Sequence, residues 1–293
     1  DDIINNLNAD LDNSLTTSAS GASSISNNCK KVYGSAFWSG NSNVNQSDTF
    51  DLKIVSPSNS GIEFDYIVDP FTDNSSLVQY VDDCGSLTTE NATYSMNASV
   101  NNTATCFNIN ANNITLNCNG YTINYSSNGT LGYGVNVTGF NWTTLKNCVI
   151  KEGSATTNNK HGIYFLRANN GTIYNNTITI GASIVSYGII LSTSSSYNNV
   201  SNNNITIESI NGAGIFSTSA SSNKIISNWI LSNGNSDGIV VFTSTNEILD
   251  SNYVEEISTG RAGISLSYST YLNVTNNTVK WISNGIFSIG QSN

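Results

Sequence analysis

Residues 162–178 read Gly-Ile-Tyr-Phe-Leu-Arg-Ala-Asn-Asn-Gly-Thr-Ile-Tyr-Asn-Asn-Thr-Ile, and residues 188–205 say nearly the same again: Gly-Ile-Ile-Leu-Ser-Thr-Ser-Ser-Ser-Tyr-Asn-Asn-Val-Ser-Asn-Asn-Asn-Ile. Two phrases recur in both. The first is a Gly-Ile or Gly-Val pair, found at Gly134-Val135, Gly162-Ile163, Gly188-Ile189, Gly214-Ile215, Gly238-Ile239, Gly263-Ile264 and Gly285-Ile286, with steps of 28, 26, 26, 24, 25 and 22 residues. The second is an aliphatic, two residues, Asn or Cys, one residue, then Ile or Val. It reads Leu145-Cys148-Ile150, Ile173-Asn176-Ile178, Val200-Asn203-Ile205, Ile225-Asn228-Ile230, Leu249-Asn252-Val254 and Val274-Asn277-Val279. The chain is an array.

A period of about 25 residues is too short for the helical repeats, which need more than about 30, and Leu does not recur at the offsets of a leucine-rich repeat. The apolar residues are mostly β-branched, spaced by two and bounded by Asn, Ser, Thr and Gly, which is strand-and-turn chemistry. Short strands joined by tight turns describe one coil of a parallel β-helix, each coil rising about 4.8 Å on the next. Parallel crossovers favour the right hand. In register, Ile163, Ile189, Ile215, Ile239, Ile264 and Ile286 form one aliphatic column. Asn176, Asn203, Asn228, Asn252 and Asn277 form a second, placed at a bend whose left-handed backbone Asn tolerates, with amides able to bond from coil to coil.

Composition narrows the class. Charged residues make up 10% of the chain, with 49 Asn, two Pro and one His, and the formal net charge is −10. That charge argues against nucleic acid or anionic lipid as a partner. No apolar run approaches the roughly 18 residues of a membrane span. The absence of an initiator Met and of a leader pattern reads as a mature chain.

Asn-X-Ser/Thr sequons occur at Asn45, Asn74, Asn91, Asn97, Asn101, Asn113, Asn124, Asn128, Asn136, Asn141, Asn170, Asn175, Asn199, Asn204, Asn273 and Asn276. A chain this rich in Asn, Ser and Thr generates some by chance. Strand parity nevertheless turns Asn175, Asn204 and Asn276 outward, where an N-glycan can attach. The five cysteines fit an exported protein with one or two disulfides. We expect Cys84 to pair with Cys106, bracing the opening strand phrase, with a Cys29–Cys84 bridge as the rival. Cys118 and Cys148 occupy similar phrases and stack in successive coils.

Residues 1–83 differ from the rest. Ile3, Ile4, Leu7, Leu11 and Leu15 recur at three to four, a short helix or docking arm, and a Ser/Thr-rich linker runs to residue 28. Strand-like runs at 31–38, 50–55, 62–68 and 77–81 predict a small β-rich domain or cap over residues 29–83, with the β-helix over 84–293. Twelve of the 20 Asp and Glu fall in residues 1–83, and Asp65, Asp69 and Asp73 are spaced as a weak calcium loop.

The stretch Cys84-Gly85-Ser86-Leu87, then residues 105–109 (Thr-Cys-Phe-Asn-Ile) and 113–123 (Asn-Ile-Thr-Leu-Asn-Cys-Asn-Gly-Tyr-Thr-Ile), resembles the opening of right-handed β-helix surface proteins of the archaeal type. The later coils resemble the repeats of the pectin-lyase-like superfamily. The resemblance implies the fold; that fold hosts lyases, hydrolases, adhesins and structural proteins alike. Lyases of the superfamily use clustered carboxylates for calcium with an Arg or Lys base, and its hydrolases use grouped Asp residues. This chain has no Asp between Asp83 and Asp237. His161-Gly162 matches part of a hydrolase Gly-His-Gly motif, but Lys160 replaces the first Gly.

The reading is therefore a structural extracellular glycoprotein, a subunit of a filament or surface-layer-like coat, with no catalytic residues, metal or cofactor. The alternatives are a polysaccharide lyase or hydrolase, or a glycan-binding adhesin. Its expected partners are further copies of itself, joined through the apolar end Ile286, Phe287 and Ile289 and through the outward cluster Ile226, Trp229, Leu231 and Tyr253.

Overall fold

The computed structural model describes residues 78–153, 159–181, 184–257, 261–280 and 283–290, all within one compact unit. Here the repeats become short parallel strands gathered into three sheets. The first holds nine strands, from β1 (Val78–Val81) and β3 (Thr93–Met96) to β24 (Asn273–Thr275). The second holds eight, from β4 (Val100–Asn101) to β25 (Thr278–Lys280), and the third nine, from β2 (Gly85–Leu87) to β26 (Asn284–Ile289). From β3 onward each circuit visits first, second and third sheet in turn, which is the all-β parallel solenoid that the period predicts. The described residues contain no helix, and so none long and apolar enough to cross a membrane.

The columns are those read from the sequence. Phe107, Val135, Ile163, Ile189, Ile215, Ile239, Ile264 and Ile286 stand in register on the third sheet. Ile163, Ile189, Ile215, Ile239 and Ile264 have no exposed surface. Leu116, Leu145, Ile173, Val200, Ile225 and Leu249 line the first sheet. Ile123, Ile150, Ile178, Ile205, Ile230 and Val254 line the second.

The glycine of each Gly-Ile pair answers to close approach of coils. A Cβ on Gly188 would lie 2.5 Å from the carbonyl oxygen of Gly214 and 2.7 Å from Ile205 Cγ2, and Gly134, Gly162, Gly214 and Gly238 meet the same two obstacles. At Gly285, on the last described coil, nothing lies within 4 Å.

The asparagine column is a buried hydrogen-bond ladder. Asn176 Nδ2 donates to Asn203 Oδ1 at 2.9 Å, Asn203 to Asn228 at 3.0 Å, Asn228 to Asn252 at 3.0 Å and Asn252 to Asn277 at 2.9 Å. Each Oδ1 also accepts the backbone N–H of the preceding rung. One expectation needs correction. The left-handed backbone belongs not to these asparagines but to the residue before each: Asn175, Asn202, Ser227, Ser251 and Asn276, with φ between 52° and 56°. The bend forms at that residue, and the Asn after it is selected for its inward amide.

Cysteine continues this column toward the start of the chain. Cys118 and Cys148 are disulfide-bonded with Cα atoms 4.7 Å apart, and the Cys148 N–H donates to Asn176 Oδ1 at 3.0 Å. A second disulfide joins Cys84 to Cys106, again at a Cα separation of 4.7 Å, the spacing of adjacent coils.

Cys29, the predicted helix over residues 1–15, the linker, the runs at 31–38, 50–55 and 62–68, and Asp65, Asp69 and Asp73 lie outside the described residues. Of the fourth run, Val78–Val81 forms β1 and pairs with β3, so the first sheet already includes Val78.

Candidate functional site

The third sheet has the longest strands, and its outer face collects the chemistry-bearing side chains. Residues three apart fall on opposite faces of a regular strand, yet here the first and fourth residues share one face, as the 5.7 Å ring contact of His161 and Tyr164 shows. In β8 (Tyr133–Thr138), β11 (His161–Leu166), β14 (Tyr187–Ser192), β17 (Ala213–Thr218) and β20 (Asp237–Phe242) the first position carries Tyr133, His161, Tyr187, Ala213 and Asp237. The fourth carries Asn136, Tyr164, Ile190, Phe216 and Val240 in register. Their rings stack along the rod: Tyr133 on Tyr164 at 4.8 Å between centroids, His161 within 5.0 Å of Tyr187, and Tyr187 on Phe216 at 4.7 Å. Ring faces are thereby occupied by other rings, and the surface offers edges and hydroxyls.

Burial sets the electrostatics of this face. His161 is 6% exposed and its pKa falls to about 4, the loss of hydration outweighing a backbone hydrogen bond with Lys160. The neutral ring accepts the Tyr187 N–H at Nδ1, 3.2 Å away, so the ring proton resides on Nε2. Burial raises the pKa of Asp237, against the opposing pull of Arg261 and of the Ala262 N–H, which donates to Oδ1 at 2.9 Å. Arg261 Nε lies 3.8 Å from Asp237 Oδ2. The Tyr187 hydroxyl is pushed up by burial and by the charge of Asp237. Asp237 is the one carboxylate in the described strands of this sheet, whereas paired-carboxylate glycoside hydrolysis needs two. No group of three or more His, Cys, Asp or Glu able to hold a metal occurs among the described residues.

Fourteen of the sixteen sequons lie in described residues, and none of them is buried. Asn91, Asn97, Asn101, Asn113, Asn128, Asn170, Asn175, Asn204, Asn273 and Asn276 are exposed; Asn124, Asn136, Asn141 and Asn199 are half-buried. Asn45 and Asn74 lie outside the described residues. In four sites the amide that would carry a sugar already donates to a neighbouring coil: Asn113 to Asn91, Asn136 to Asn108, Asn175 to Asn147 and Asn276 to Asp250.

The self-association cluster does face outward, but it is partly occupied from within. Trp229, 39% exposed, stacks on Tyr253 at 6.2 Å, and Tyr253 donates its hydroxyl to Glu255. Lys280 Nζ sits 5.1 Å above the same ring. Ile226 and Leu231 are half-buried, in register with Asp250 and Glu255. Ile286, Phe287 and Ile289 are exposed on the last described coil.

Three features escape the sequence reading. Lys160 and Glu152 form an ion pair at 2.7 Å with both side chains fully buried, beneath a Tyr125 hydroxyl whose pKa is raised by burial and by the charge of Glu152. A second polar ladder runs five residues before the first: Gly171 N–H donates to Asn198 Oδ1, Asn198 Nδ2 to Asn223 Oδ1, and Asn223 Nδ2 to Glu247 Oε1. Glu247 is 0% exposed, and burial raises its pKa to about 7 despite the hydrogen bond from Asn223. The fixed offset is the signal that marks this ladder. The third feature is the ring stack itself, which sequence parity hides because His161 and Tyr164, three residues apart, would alternate to opposite faces in a regular strand.

Stacked parallel strands, three sheets and internal polar ladders define a β-solenoid. The chain belongs to the right-handed β-helix family, whose model, described as "Right handed beta helix region", matches residues 133–293, more than half of the sequence. No curated protein matches in sequence. Among solved structures, the chain is similar to the A-module of the mannuronan C-5 epimerase AlgE6 of Azotobacter vinelandii. The likeness has a TM-score of 0.30 and 10% identity, and it covers 77% of this chain and 93% of that one. It is too slight to carry any inference about activity.

Proposed function

We propose that this protein is a structural, extracellular N-glycoprotein whose rigid β-solenoid assembles with its own copies into a filament or coat. The observation that carries this is the placement of the sequons: all fourteen in described residues avoid the interior, and ten are exposed. Two disulfides support an oxidising compartment. The stacked pair Trp229–Tyr253 is the face offered to a neighbouring copy. Glycopeptide mass spectrometry of the native protein tests the glycan reading: sugars are expected at Asn97, Asn101, Asn128, Asn170, Asn204 or Asn273, and lower occupancy where the amide is engaged, as at Asn136 and Asn175. Bare peptides at all six exposed sites would end it. Light scattering tests assembly, which Trp229→Ser should weaken.

A second reading is favoured by one observation. Asp237, its carboxyl biased toward the protonated form, shares the outer face of the third sheet with Arg261, Tyr187 and His161, groups suited to donate protons and hydrogen bonds to a carbohydrate. Release of new sugar products from a polysaccharide, lost in Asp237→Asn, would establish it.

A further inference from the structure

Where the third sheet gives way to the first, the residue two before each first-sheet strand has positive φ: Asn91 (62°), Asn113 (53°), Trp142 (58°), Asn170 (58°), Tyr197 (60°), Ser222 (58°), Asn246 (55°) and Tyr271 (55°). Short polar side chains suit that conformation, and Asn or Ser fills it in five of these eight coils. The other three carry Trp or Tyr, against the local preference. Burial does not explain them, because Trp142, Tyr197 and Tyr271 are 54%, 64% and 68% exposed. Ring pairing does not either: none of the ring stacks among the described residues includes them, whereas Tyr268, on the neighbouring left-handed ladder, meets Phe242 edge to face at 5.9 Å. Unlike the stacked rings of the third sheet, these have open faces.

From this we propose that Trp142, Tyr197 and Tyr271 form a docking track for a linear, uncharged polysaccharide lying parallel to the rod axis. The rings stand two and three coils apart, roughly 10 and 14 Å at the rise of stacked strands. One coil thus advances by nearly the length of one pyranose unit in an extended chain, so every ring meets a sugar in the same register. An open aromatic face stacks on the C–H face of a pyranose, and Ser222 and Asn246, between Tyr197 and Tyr271, offer a hydroxyl and an amide to sugar hydroxyls. Charge points the same way. In the corner segments 139–143, 167–171, 193–198, 219–223, 243–247 and 268–272, Arg167 is the one exposed charged residue, on a chain of net charge −10. An uncharged partner leaves no counter-charge unmet there.

The track lies apart from the third-sheet face and does not depend on the glycans of the rod. The test therefore uses the full chain produced without N-glycosylation, so that no sugar on Asn170 occupies the gap between Trp142 and Tyr197. Retention on cellulose, β-1,4-mannan and chitin is measured for the native sequence, for Trp142→Asn/Tyr197→Asn/Tyr271→Asn together, and for Trp229→Ser on another face. The native chain and Trp229→Ser should be retained by at least one polymer, with binding weakened tenfold or more in the triple variant. Because Asn fits the left-handed position, the triple variant's melting temperature should hold or rise. Failure of the native chain on all three polymers overturns the proposal, as does equal retention of the triple variant. A lower melting temperature in that variant would make the rings structural and overturn it too. So would a native dimer abolished by the triple substitution, which assigns the track to a second copy.

Discussion

The Asn223 amide donates to Glu247 Oε1 across 2.9 Å, so the second polar ladder ends on a carboxyl rather than on another amide. That carboxyl is fully buried with a pKa near 7, raised from an ordinary 4.5. A raised folded-state pKa means that the native protein holds the proton more tightly than the unfolded chain does. The resulting stability is complete below about pH 4.5 and is lost as pH rises through about 7, an effect on the order of 3 kcal/mol. His161, its folded-state pKa lowered from 6.5 to about 4, acts in the opposite direction over about pH 4–6.5, so the Glu247 effect is read as a difference between two chains. The melting temperature of Glu247→Gln, which keeps the acceptor for Asn223, should gain steadily on that of the native chain from pH 5 to pH 8; a constant difference would contradict the assignment.

Gly188→Ala should destabilise the solenoid by about 1–3 kcal/mol, because its new methyl would lie against the Gly214 carbonyl and Ile205 with no space to relax. Gly285→Ala, with nothing within 4 Å, should change little. Paired chemical denaturation curves give the comparison.

Removing one rung of the asparagine ladder should cost more than its own bonds. Asn228→Ala takes the acceptor from Asn203 Nδ2 and N–H, and the donor from the Val200 carbonyl and Asn252 Oδ1. Several buried groups are left unmet at about 1–3 kcal/mol each, so a loss of about 3 kcal/mol or more is expected in denaturant titration. Ser227→Asn, one position away on the exposed surface and suited to the left-handed bend there, is the control.

Non-reducing peptide mapping should return Cys84–Cys106 and Cys118–Cys148. The bridges close loops of 22 and 30 residues, and each should contribute about 3–4 kcal/mol in the chain-entropy model. Scanning calorimetry with and without reductant measures the sum.

The columns through Ile163 and Leu145 were legible because a solenoid writes its contacts as a fixed period and its faces as parity; both survive in the residue order. Bend and ladder were harder to separate. Asn175 and Asn176 are the same residue type one position apart, yet one supplies the backbone turn and the other the inward amide, and only φ distinguishes them. The Gly171, Asn198, Asn223 and Glu247 column kept its offset while its chemistry changed from glycine to amide to carboxyl, so no residue pattern announced it. Lys160 and Glu152 escaped because charge usually faces water, and in sequence each looked like an ordinary surface residue. The ring stack on the outer face needed three-dimensional register, since His161 and Tyr187 lie 26 residues apart.

Every cysteine of the chain lies at or before position 148, so both covalent staples fall on one side of the solenoid. Later coils are held to their neighbours by ladders and core contacts alone, and each touches only the next. Under tension along the axis the molecule is a ripcord knotted at one place. Coils past Cys148 peel away singly, each releasing about 25 residues or roughly 85 Å of extended chain, while the stapled coils hold until a reductant cuts them. The rod thus has a mechanical direction, and it converts a steady pull into a run of similar lengthenings that stops at the disulfides.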